Sequence, residues 1–249
     1  MNRLKRWGTL VPLLTLLAAS PLAADQTREE RVEAIMTEGM ETNLVVIADT
    51  SGSMAERPAS GGSRSKIDIA REALARFLST LPKAVRVGMV IYDGCDTRIV
   101  AALDTATRES VVAEVDRLPA RGKTPIVDSL SQALEQLKPR LEKNPYGRNV
   151  VLLVTDGEET CKAQGMVREA AARLTDGFIE LIIIGFDLPS QDTDLKQVAT
   201  RYYLASDSRE LSEGLATVQG ELAVDATVDT IPGTPTRPSP ASQGMEGQW

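Results

Sequence analysis

Residues 43–53 read NLVVIADTSGS. Asn43 to Ala48 is a continuous apolar run of strand length. Such runs suit a strand covered on both faces, as at the centre of a parallel sheet. The run stops at Asp49-Thr50-Ser51-Gly52-Ser53 and gives way to a Ser-, Gly- and Pro-rich stretch reaching Arg64. That change reads as a buried strand opening onto a polar loop.

Outward from this strand the chain alternates helices and strands. From Ser65, residues Ile67, Ala70, Leu74, Phe77, Leu78 and Leu81 follow helical spacing until Pro82, and Ser65 with Asp68 resembles a capping pair. Val85 to Tyr92 and Arg98 to Leu103 read as strands, and Ala106 to Leu118 as a helix. Thr124-Pro125 opens another helix, with proline at its first position and Ile126, Leu130, Ala133, Leu134 and Leu137 as its inner stripe. Asn149 to Thr155 (NVVLLVT) and Phe178 to Phe186 (FIELIIIGF) are further apolar strands, separated by a helix over Lys162 to Leu174. A short helix (Leu195 to Thr200), a last strand (Tyr202 to Leu204) and a final helix (Arg209 to Leu222) complete the order. This alternation requires crossover connections. The fold class is therefore α/β: a Rossmann-like, doubly wound, mostly parallel sheet with helices on both faces.

The ends differ from this domain. Met1 to Arg6 is basic, Trp7 to Ala19 is apolar, and small residues lead to Ala23-Ala24 before Asp25. Residues 1–24 have the region order of a cleaved secretory signal peptide. The expected location is periplasmic or secreted, with no stable membrane insertion of the mature chain. Residues 25–41 form a charged lead-in, read as a short helix, 42–224 the α/β domain, and 225–249 a disordered tail carrying Pro232, Pro235, Pro238 and Pro240.

Composition narrows the chemistry. The 249-residue chain has no histidine, which removes Ser-His-Asp and Cys-His catalysis and the usual zinc ligand sets. Two cysteines, Cys95 and Cys161, are too few for an iron–sulfur cluster. In an oxidising compartment they are either a bonded pair or two buried thiols. Net charge is −7, and without Arg3, Lys5 and Arg6 of the leader it is −10. Such a chain has no broad footprint for nucleic acid.

In a doubly wound sheet, ligands bind beyond the carboxyl ends of the strands, at the switch point. Asp49, Ser51 and Ser53 follow the first strand; Asp156, Glu158 and Glu159 follow the strand ending at Thr155; Thr124 opens the helix between them. All three pieces reach the same sheet edge. Ser51, Ser53 and Thr124 offer neutral hydroxyl oxygens, and Asp49 and Asp156 offer carboxylates. An all-oxygen set of this kind suits a hard divalent cation, Mg²⁺ first, with Mn²⁺ and Ca²⁺ as alternatives. An EF-hand starting at Asp49 would need Gly and Glu where Met54 and Ser60 stand. A P-loop ending in Gly122-Lys123-Thr124 would need Gly where Arg117 stands.

On these residues the chain resembles a von Willebrand factor type A domain with its metal-ion-dependent adhesion site. The family's Asp-x-Ser-x-Ser falls on Asp49, Ser51 and Ser53, its threonine on Thr124 and its later aspartate on Asp156. The resemblance extends from Thr42 to Val224. It is nearest to exported bacterial members with Gly-Lys-Thr-Pro and Thr-Asp-Gly-x-Glu-Thr-Cys segments, here Gly122 to Pro125 and Thr155 to Cys161. It implies metal ligation by the three hydroxyls, with the aspartates often acting through water, and a protein partner presenting an Asp or Glu carboxylate. It also implies binding without turnover. Cysteines at matching places in the related domains imply a Cys95–Cys161 disulfide. Asp93, Asp96, Glu158 and Glu159 are expected at the rim, either as solvated loop acids or as a negative ring that selects the partner. Two other classes remain open. One is a cell-envelope assembly factor with a non-essential metal site. The other is an Asp49-dependent phosphatase, which would need a second aspartate where Ser51 stands.

Overall fold

The computed structural model describes residues 41–163, 165–188 and 194–226. The expected signal peptide, nearly all of the lead-in, and the tail beyond Ala226 lie outside the described residues. The strands are β1 (Thr42–Ala48), β2 (Val85–Asp93), β3 (Asp96–Ala101), β4 (Arg148–Thr155), β5 (Ile179–Phe186) and β6 (Arg201–Ala205). The α-helices are α1 (Lys66–Thr80), α2 (Arg108–Val115), α3 (Ile126–Lys143), α4 (Gly165–Asp176), α5 (Asp194–Val198) and α6 (Ser208–Ala226). They surround one six-stranded sheet of order β3-β2-β1-β4-β5-β6. Only β3 is antiparallel, folding back on β2 through a turn at Gly94 with φ +71°.

The apolar run of β1 is explained by its place. It pairs on both edges, with β2 and β4, and its side chains alternate between two cores. Leu44, Val46 and Ala48 pack with α1, α2 and α6, while Val45 and Ile47 pack with α3, α4 and α5. With both faces dry there is no selection for polar alternation. The register sets Ala48 beside Ile91 and Val154, and Thr155 beside Gly185. The loops after β1, β2, β4 and β5 therefore leave from one edge.

Several boundaries differ from the sequence reading, each for a local reason. The helix expected over Ala106 to Leu118 is only Arg108–Val115, because the Thr107 side chain caps it by accepting from Ser110 N. Pro125 stands just before α3 as its cap residue, not at its first position. Phe178 is apolar but lies outside β5, in left-handed backbone with φ 57° and 91% exposed. Helix α6 continues to Ala226, two residues into the stretch read as tail. At the other end, Glu41 belongs to the domain: its carbonyl accepts from Arg148 N and its carboxylate pairs with Arg86.

Candidate metal centre

The loop after β1 is fixed before it turns. Asp49 N donates to Val154 O on β4 at 3.0 Å, and the Thr50 hydroxyl bridges the Tyr92 backbone, donating to its carbonyl and accepting from its amide. Asp49 then points its carboxylate inward. One oxygen accepts from Ser51 N at 2.8 Å and the other from Thr155 Oγ1 at 2.6 Å. Ser51 Oγ lies 3.0 Å from Ser53 Oγ, and Ser53 Oγ donates to Asp156 Oδ1 at 2.8 Å. Four of the five sequence-predicted donors thus form one hydrogen-bonded chain.

Thr124 reaches the same edge from α3. Its backbone is held at both groups: the amide donates to Thr160 Oγ1 at 2.8 Å, and the carbonyl accepts from Thr160 N at 3.1 Å. The segment before it is bound to the serine loop, with Gly52 N donating to Gly122 O and Arg121 N to Thr50 O. Gly122 is required here. Its φ is +93°, and a Cβ would come within 3.1 Å of the Gly94 backbone.

Electrostatics follow from burial. Asp49, Ser51, Thr124 and Asp156 are all buried. Burial pushes the Asp49 carboxyl up to about 6, repulsion from Asp156 adds to it, and hydrogen bonds from Ser51 and Thr155 oppose it. Two mutually repelling carboxylates beside three hydroxyls are a donor set that a divalent cation relieves. Among the described residues no three Cys, Asp or Glu side chains group closely enough to hold a cation by themselves, so a cation here would need the hydroxyls as well. Asp49, Ser51, Ser53, Thr124 and Asp156 fit such an ion.

The structure adds residues that the sequence reading missed. Lys66, the first residue of α1, is buried and places Nζ 2.7 Å from Asp156 Oδ2 and 3.5 Å from Asp187 Oδ2. Although burial opposes it, the hydrogen bond and charge of Asp156 hold its ammonium above the ordinary lysine range. Asp187, just past β5, accepts from Ala59 N with both oxygens at 3.1 Å. A signal was present in the sequence: helix N-termini disfavour cations, so a lysine opening α1 needs an acidic neighbour.

The rim acids divide. Asp93 and Asp96 are exposed on the β2–β3 turn, and Glu158 is half-buried. Glu159 is not a rim acid. It is buried, and its carboxylate accepts from Val127 N at 2.7 Å, Cys161 N at 2.6 Å and Lys162 N at 2.9 Å. It closes the amino end of α3, where backbone N–H groups and the helix dipole favour an anion. Cys95 and Cys161 form a disulfide with Cα atoms 5.5 Å apart, tying the β2–β3 turn to the loop that follows Asp156.

The family model of the von Willebrand factor type A domain matches residues 43–216, well over half of the chain. The uncharacterized protein YwmD of Bacillus subtilis (strain 168) is 28% identical over 205 residues, covering 76% of this chain and 84% of its own length. A von Willebrand factor type A structure from Catenulispora acidiphila superposes with TM-score 0.59 at 22% identity, over 73% of this chain and 42% of that one. Proximal thread matrix protein 1 from the mussel byssus, solved with a zinc-occupied MIDAS motif, gives TM-score 0.59 at 16% identity, over 74% of this chain and 46% of that one. The chain spans less than half the length of these two structures, and at such identities they speak for the fold.

Proposed function

The chain belongs to the von Willebrand factor type A domain family, and we propose on that basis that it is a metal-dependent protein-binding module, periplasmic or secreted. One observation carries the reading: at the carboxyl edge of the sheet, at the β1/β4 switch point, Asp49, Ser51, Ser53 and Asp156 form one hydrogen-bonded chain, and backbone bonds tie the Thr124 segment to the same serine loop. Asp49, Ser51, Ser53, Thr124 and Asp156 would hold the cation, with Mg²⁺ as the expected ion and Mn²⁺ the best probe. When bound, the ion supplies a positive coordination position open to a partner's Asp or Glu carboxylate. The chain's own residues prepare that position. Thr155 and the Ser51 amide orient Asp49, Ser53 and Lys66 orient Asp156, and the Gly52–Gly122 contact keeps the serine and threonine loops together.

The mussel protein's zinc-occupied motif supports metal binding on this fold. The disulfide and the signal-like residues 1–24 support a periplasmic or secreted location. Among the described residues no helix is long and apolar enough to cross a membrane. We assign binding without turnover, as membership of the von Willebrand factor type A family implies.

Calorimetric titration of Mg²⁺ and Mn²⁺ into the EDTA-stripped chain tests the metal site, with Asp49→Ala as control. Binding by the wild type and none by the variant is the expected result. Capture from a cell-envelope extract, with and without EDTA, then tests the partner. Retention of the same partner in EDTA and by Asp49→Ala would refute metal bridging and favour an assembly factor.

A further inference from the structure

Lys66 is a buried ammonium shared between two carboxylates that belong to different loops. Asp156 takes it at 2.7 Å and Asp187 stands 3.5 Å away. Asp156 is one of the candidate ligands, with its other oxygen already accepting from Ser53. Asp187 lies outside the donor set and is anchored by the Ala59 amide through both of its oxygens. Lys66 is itself fixed, because its amide donates to Glu56 O at 2.8 Å and its side chain leaves the start of α1. The cluster therefore has a cation of its own, built into the position nearest the aspartate that closes the centre.

Resting on the metal reading above, we infer that Lys66 is the resident counter-cation of the centre and Asp187 its second seat, so that the cluster is charge-matched to one divalent ion. Asp49, Asp156 and Asp187 carry three negative charges when ionised, and Lys66 one positive. The balance is −2, which a divalent cation cancels. Without Asp187, Lys66 would face an entering cation with no carboxylate other than the ligand itself. With Asp187 beside it, the ammonium keeps a partner when Asp156 turns to the metal. Lys66 and Asp187 are thus positioning residues that set the affinity of the centre, and neither is a ligand.

The test is a charge cycle read by calorimetric Mn²⁺ titration of the EDTA-stripped full chain. Charges of +1 and +2 roughly 6 Å apart alter an equilibrium constant about tenfold even with the screening of bulk water. Lys66→Gln should therefore tighten Mn²⁺ binding by at least about tenfold while lowering the melting temperature of the metal-free protein. Asp187→Asn keeps an oxygen to accept from Ala59 N and should weaken Mn²⁺ binding by about tenfold. The double variant restores the balance of −2 and should return to within about threefold of wild type. A merely structural role for Lys66 cannot give tighter binding or be compensated in this way. Lys66→Gln binding no tighter than wild type, or a double variant that fails to compensate, overturns the inference. Should Lys66→Gln not fold, Asp187→Asn decides alone, and unchanged affinity there overturns it. Failure of the wild type to bind Mn²⁺ overturns the metal reading itself.

Discussion

In the metal-free protein, stability should carry a pH signature from Asp49. Asp49 is 2% exposed, and burial, reinforced by Asp156, raises its carboxyl from 3.8 to about 6. Between those two values the folded chain keeps a proton that the unfolded chain has released. The native state then binds more protons, so stability falls as pH rises through the window. Below 3.8 both states are protonated and the contribution is constant; above about 6 the full cost of a buried carboxylate is present. A gap of roughly two units is worth about 3 kcal/mol.

Urea unfolding of EDTA-stripped protein from about pH 4 to pH 7, wild type against Asp49→Asn, isolates this effect. The asparagine oxygen still accepts from Ser51 N, and its amide can donate to Thr155 Oγ1, so the hydrogen bonds persist while the titration is lost. Glu41, Asp68 and Glu180 are held low by their arginine and serine partners and so favour higher pH, but they are common to both proteins and cancel in the difference. The expected result is that Asp49→Asn gains about 2.4 kcal/mol on wild type between the two ends of the range, the remainder of the gap lying below pH 4. Saturating Mg²⁺ should reverse the advantage, because only the wild type offers the metal an ionised Asp49. Parallel pH profiles for the two metal-free proteins would refute the reasoning.

Four further outcomes follow from particular contacts. Replacing Cys95 and Cys161 by alanine should cost ~4 kcal/mol in urea unfolding, from the chain entropy of a cross-link spanning 66 residues; a loss below about 1 kcal/mol would mean the bridge contributes no such constraint. Glu159→Gln should destabilise by about 1–3 kcal/mol, because it weakens three charge-assisted bonds at and beside the amino end of α3. Asp93→Asn and Asp96→Asn, exposed on their turn, should stay within about 0.5 kcal/mol of wild type in the same assay. Gly122→Ala should cost about 1–3 kcal/mol, since it forces a side chain into left-handed backbone against Gly94, and unchanged stability would show that this turn can relax.

The centre of the fold was legible because burial on both faces of a sheet leaves a mark that needs no partner to be seen. Leu44 to Ala48, Val150 to Val154 and Leu181 to Ile184 are apolar at every position, and each proves to be a strand with dry cores above and below. The candidate donors were legible for a related reason. Asp49, Ser51, Ser53 and Asp156 lie in the loops that leave such strands, and Thr124 precedes Pro125, the cap of a helix with a clear apolar stripe. Their placement at one sheet edge follows from the parallel topology. Edge features were less legible. Phe178 looks like the first residue of β5, but Gly177 and Phe178 turn back on α4 through bonds to Leu174 O and Thr175 O, which no strand pattern records.

Glu159 and Lys66 show where such reading stops. Glu158 and Glu159 look alike as loop acids, yet Glu159 is buried because α3 begins against it and presents the Val127 amide, which no helical carbonyl takes. Helix α3 begins over thirty residues earlier in the chain, so the pairing becomes visible only when the β4 loop is laid across it. Lys66 is the harder case. A lysine in a first helical turn has many solvated explanations, and its burial depends on Asp156 and Asp187, which come from the ends of two other strands. What the chain did carry was a local conflict, a cation at the positive end of α1. Local rules are broken where a tertiary interaction compensates, and here that interaction is the ion pair beside the candidate metal centre. The conflict marks a residue that motif matching passes over, since Lys66 has neither the chemistry nor the spacing of a ligand, and the structure was needed to find it.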